Sequence, residues 1–138
     1  MIASLLTRGS TIICIHVRLT DRSGQSPPIE WYLEWLNKLW LSLDNPVLYI
    51  ASDDLIAAVA AFEKFQPVTL NEITQSIAGL EWLQDFYVIM NSDIVASSSG
   101  GFCTLANMLN TTLGGQFYRP NFDKNCLMKY SPLSDSEY

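Results

Sequence analysis

The stretch TIICIHV, Thr11–Val17, decides the fold. It is rich in β-branched residues and apolar on both faces, the pattern of a strand covered on two sides in a parallel sheet. The residues able to do chemistry, His16, Arg18 and Asp21, gather at its carboxyl end. In an open parallel sheet that end is where loops and helix N-termini converge on a ligand.

Reading outward, the loop over residues 19–28 is polar and broken by Gly24, Pro27 and Pro28, prolines suited to opening a helix. Residues 29–43 follow, with Ile29, Leu33, Leu36, Trp40 and Leu43 at helical spacing and Glu34 paired with Lys38 on the opposite face. Residues 47–51 read as a second buried strand ending in Ser52, Asp53 and Asp54, of which Asp53 or Asp54 caps a helix over 55–65. A short third strand fits 67–70, and a helix fits 77–91 with Leu80, Leu83, Tyr87 and Met90 in line. Then come a strand over 93–96, a small-residue turn over 97–101, a helix over 102–109 and a last strand over 116–118; no period is evident after Arg119. Alternating strands and helices predict an α/β chain, a Rossmann-like parallel sheet flanked by helices. One domain is expected over residues 1–130, with a frayed tail over 131–138.

Composition bounds the chemistry. At 138 residues, 49% hydrophobic and 16% charged, the chain can bury one core and has no room for a second full domain. Its net charge is −6 with 8 basic residues, none clustered, which argues against a nucleic-acid partner. Any phosphate site must therefore be made locally, from one or two cations and backbone N–H groups. Cys14, Cys103 and Cys126 form no CxxC pair and read as reduced, mostly buried thiols rather than a disulfide framework or zinc site. No run approaches the ~18 apolar residues of a membrane span, and residues 1–7 are short for a signal peptide, so a cytoplasmic protein is expected, with peripheral membrane contact through aromatics left open.

The strand ends supply the candidate site. His16 is the sole histidine, so a histidine metal cluster is ruled out; it is either a hydrogen-bonded core residue or the site's histidine. Arg18 falls on the same side of the strand, where a guanidinium matches two phosphate oxygens, or else pairs with Asp21 or Asp54. The turn Ser97-Ser98-Ser99-Gly100-Gly101 offers hydroxyls and N–H groups at a helix N-terminus to an anion, although such turns often only connect and cap. Asp53 could accept from a ribose or from the N–H edge of guanine, or cap a helix. Trp31, Trp35, Trp40 and Trp82 read as packing residues, and no DxD metal-nucleotide element is present.

These residues resemble the fucosyltransferases that share an HxRxxD motif, including the α-1,2, α-1,6 and protein-O-fucosyl types. The motif stands here as His16-Val17-Arg18-Leu19-Thr20-Asp21. Matching stretches follow at residues 48–54 (LYIASDD), 83–90 (LQDFYVIM) and 92–102 (SDIVASSSGGF), so the resemblance covers roughly residues 12–110. It implies the donor-binding lobe of a GT-B glycosyltransferase that transfers fucose from GDP-fucose to a glycan or other hydroxyl acceptor, with inversion and no required metal or cofactor. Arg18 would hold the diphosphate with His16 beside it, Asp53 would meet guanine or ribose, and Ser97, Ser98, Ser99 and Gly100 would cradle phosphate. Asp21 is a candidate acceptor base, with Glu30 the other carboxylate near it. Leu19 stands where such enzymes often carry a second arginine. A GT-B cleft needs a second lobe, supplied by another chain or by a homodimer; without it, the expected alternative is a non-catalytic nucleotide-sugar-binding module or an inactive remnant.

Overall fold

A computed structural model describes residues 1–20, 26–98, 100–110 and 114–134. Asp21, Ser99 and the end of the expected tail, residues 135–138, lie outside the described residues. The elements are α1 (Ile2–Leu6), β1 (Thr11–Val17), α2 (Ile29–Trp40), β2 (Pro46–Ser52), α3 (Leu55–Ala61), a 3₁₀ turn (Glu63–Phe65), α4 (Leu70–Ile73), α5 (Glu81–Met90), β3 (Ile94–Ser97), α6 (Gly101–Met108), β4 (Gln116–Asn121) and β5 (Cys126–Tyr130).

The strands form a single sheet in the order β2-β1-β3-β4-β5, parallel except for β5, which runs antiparallel to β4. The α/β class and the mainly parallel sheet flanked by helices are as the sequence predicts. β1 lies at its centre, and consecutive residues feed opposite cores. Ile12 and Cys14 join Val47, Tyr49, Val88, Ile89 and Ala106 on the side of α5 and α6. Ile13, Ile15 and Val17 join Tyr32, Leu36, Leu48, Ile50 and Ala58 on the side of α2 and α3. Strands apolar on both faces are buried on both faces for this reason.

Several boundaries differ from expectation. The helix over 29–43 stops at Trp40, and that over 55–65 splits into α3 and the 3₁₀ turn. The third strand reduces to Val68, bridged to Tyr49 and bonded to Leu48 and Ile50 at the β2 edge. The helix expected from residue 77 begins only at Glu81, because Gly79 takes φ +82°, a conformation that breaks helical backbone. Most of its expected apolar line faces outward: Leu80, Leu83 and Tyr87 are exposed, and only Met90 packs on the core, beside Val88 and Ile89. β5, α1 and α4 were not anticipated. No helix among the described residues is long and apolar enough to cross a membrane.

Candidate functional site

Strand order reverses around β1, which has β2 on one side and β3 on the other, and a crevice opens at such a point beyond the carboxyl ends. A cavity of about 420 Å³ lies there. It brings together His16, Arg18, Asp53, Ser98 and Gly100 of the predicted residues. Ser97 sits just beneath, buried, its carbonyl accepting from the Tyr32 hydroxyl at 3.3 Å.

His16 leaves β1 half-buried on the α6 side, its ring 5.4 Å from that of Phe102 and its Nδ1 3.2 Å from the Ser98 hydroxyl. The Ser98 N–H donates to the His16 carbonyl at 2.9 Å, so strand and turn are tied by backbone and side chain together. Burial, and then the Arg18 guanidinium, push the imidazolium down to about 4 against the opposing pull of Asp53. The ring is therefore neutral near pH 7, a hydrogen-bonding partner rather than a charge. The cation facing the cavity is Arg18, which is exposed.

The turn after β3 is shaped by Gly100, whose φ of +136° suits glycine alone and whose missing side chain leaves open space. Among the described residues no side chain caps α6, whose first N–H groups follow directly. Thr104 closes the first turn by donating to the Gly100 carbonyl at 3.1 Å. Cys103 lies against the cavity with its thiol pushed up to about 12 by burial, against the pull of Ser98 and Arg18, and is thus an inert wall rather than a nucleophile.

Asp53 does something the sequence reading did not consider. The helix cap is Asp54, which accepts from the Ala57 N–H at 3.2 Å. Asp53 instead accepts from the N–H groups of Leu19 at 2.7 Å and Thr20 at 3.1 Å, and from the Thr20 hydroxyl. Burial is the largest single influence and works against its charge, but the hydrogen bonds from Thr20 and Leu19 together outweigh it and hold the carboxyl near 2. It fixes the chain directly after Arg18 while still lining the cavity.

Two further cavity residues were missed, Trp82 and Asp85, one turn apart on α5. Trp82, read as packing, is 56% exposed; the other three tryptophans do pack, against Phe122, Tyr118 and Phe65. Asp85 accepts from the buried Tyr49 hydroxyl at 2.5 Å, and its carboxyl is raised to about 6 by burial, with the Tyr49 bond pulling down and Glu81 pushing up. A signal existed: Asp85, Val88 and Ile89 fall at i, i+3 and i+4, so a carboxylate stands in the sheet-facing stripe. Among the described residues, no three His, Cys, Asp or Glu side chains stand close enough to hold a metal ion.

No family model and no curated protein matches this sequence. Its fold does match solved structures. NodZ α-1,6-fucosyltransferase soaked with GDP-fucose superposes with a TM-score of 0.62 at 14% identity over 93% of this chain and 45% of that one. NodZ co-crystallised with GDP gives 0.60 at 14% over 87% and 41%. Fucosyltransferase NodZ from Bradyrhizobium gives 0.59 at 14% over 88% and 41%. The chain thus has a fucosyltransferase-like fold and spans less than half the length of the enzymes it matches.

Proposed function

We propose that the cavity binds guanosine diphosphate as part of GDP-fucose, and that the chain is the donor-binding lobe of an inverting, metal-independent fucosyltransferase. The observation that carries this reading is the convergence of Arg18, His16 and the Gly100–Gly101 N-terminus of α6 on one cavity at the reversal of strand order. A guanidinium and helix N–H groups are the donors a diphosphate requires, and both act on the charge that builds as the sugar–phosphate bond breaks. Neutral His16 adds a hydrogen bond without titrating near pH 7. Trp82 and Asp85 supply the other end, an exposed indole face on which a base can stack and a carboxylate that accepts from the guanine N1–H and amino group. Asp53 keeps the Arg18 loop in register and reaches the ribose.

Transfer to a glycan or other hydroxyl acceptor needs a base and a second lobe; Asp21 is the proposed base, and the second lobe comes from another chain or a second copy. A thermal-shift series with GDP, ADP and UDP, with and without EDTA, tests the reading. GDP alone is expected to raise the midpoint, EDTA changing nothing, while equal shifts for all three nucleotides or none would refute it. GDP binding without release of fucose from GDP-fucose, even with a partner lobe present, would identify the alternative, a binding module.

A further inference from the structure

A second cavity, of about 280 Å³, opens on the other side of the serine turn and shares Ser98 and Gly100 with the first. Its far wall is the β4–β5 hairpin: Arg119 from β4, Phe122 and Asp123 from the connecting turn, and Tyr130 from β5. These groups are held in place. The Arg119 guanidinium lies 4.4 Å from the centroid of the Tyr130 ring, and the Tyr130 hydroxyl accepts from the buried Asn107 amide at 2.6 Å. The turn is fixed by the Asn121 side-chain carbonyl, which accepts from the N–H groups of Asp123 and Lys124, each at 3.0 Å. Phe122 packs edge-on to Trp31 at 5.2 Å and remains 52% exposed.

The donor and acceptor set is mixed. A bare phosphate is disfavoured by the Asp123 carboxylate, and a wholly apolar group by the charges of Arg119 and Asp123. A hydroxylated ring suits both, since its hydroxyls donate to a carboxylate and accept from a guanidinium while its C–H face lies on an aromatic ring. The volume falls at the small end of ligand pockets, enough for one ring and too little for a nucleotide. Because the serine turn borders both cavities, a diphosphate at the α6 N-terminus could reach from one into the other.

We propose that this second cavity holds the sugar ring of the nucleotide sugar whose nucleotide fills the first, with Asp123 and Arg119 on its hydroxyls and Phe122 on its apolar face. The proposal rests on the nucleotide-sugar reading above. It is tested by calorimetric titration of GDP and of GDP-fucose into the wild-type chain, Asp123→Ala and Phe122→Ala, two exposed positions, of which Phe122 also gives up its contact with Trp31. The wild type is expected to bind GDP-fucose more tightly than GDP. Each variant should erase about tenfold of that advantage and leave GDP affinity within about twofold, the loss of one ligand contact. Equal affinity of the wild type for the two ligands, or a variant loss shared by GDP, overturns the sugar subsite and leaves the nucleotide reading standing. Binding of neither ligand overturns both.

Discussion

Two carboxylates face the same cavity and are made opposite by their surroundings. Asp53, at the exposed end of β2, receives donors from Leu19 and Thr20 and is held ionised, near 2. Asp85, half-buried on α5 against the sheet, has the Tyr49 hydroxyl as its donor and is pushed up to about 6 by burial. The first is a structural anion that orders the loop carrying Arg18. The second changes charge just below neutral pH because of its burial. Position in the fold, rather than residue type, sets the difference: strand ends open to water and N–H groups, whereas the sheet-facing stripe of a helix does not.

The contrast can be broken in order of expected effect. Asp85→Asn should weaken GDP binding about 10- to 100-fold, the cost of a charge-assisted contact, and erase preference over ADP, while Asp53→Asn should leave that preference intact. Competition titration with both nucleotides checks this. Next is pH. The Asp85 carboxyl is raised from 3.8, so its contribution to stability is present below about 4 and lost as pH rises through about 6. His16 is lowered from 6.5, so its contribution is present above that value and lost as pH falls through about 4. The two oppose each other between about 4 and 6, and wild-type stability should be nearly flat there. Urea unfolding of Asp85→Asn should instead gain on the order of 2 kcal/mol across that window, and His16→Gln should lose a similar amount.

Tyr49→Phe removes the donor to Asp85. It should cost about 1–2 kcal/mol at pH 8, where the carboxyl is charged, less at pH 5, and raise the Asp85 titration further, readable by carboxyl-carbon NMR. The smallest effect belongs to Asp53→Ala. Being exposed, it should change stability by less than about 1 kcal/mol and GDP affinity by severalfold, through a looser Leu19–Thr20 segment. A large loss of stability there would erase the distinction between the two carboxylates.

Where periodicity was unambiguous, the sequence was legible. β1 carries its expected bounds because both faces are apolar, and β2 and the β3–turn–α6 unit follow within a residue or so. That His16, Arg18 and the serine turn would meet at one cavity was legible too, since they occupy the ends of β1 and β3, which are neighbours in the sheet. α1 and α4, of 5 and 4 residues, are too short for a helical period to register. β5 depends on its pairing with β4, a tertiary fact, and its own burial alternates poorly. The apolar line of α5 was assigned to the core, yet Val88 and Ile89 won that place, which turned Leu80, Leu83 and Tyr87 outward and brought Asp85 in. The α5 wall of the cavity was missed for the same reason, because Trp82 and Asp85 reach it only once α5 is rotated correctly on the sheet.

The most direct test of the account is calorimetric titration of GDP, with ADP and UDP as controls, into the wild-type chain and Arg18→Ala. The account predicts GDP-selective binding that falls about 10- to 100-fold or more in Arg18→Ala, since a guanidinium on a diphosphate is a charge-assisted, bidentate contact. GDP affinity unchanged by Arg18→Ala, or no nucleotide binding at all, would contradict it.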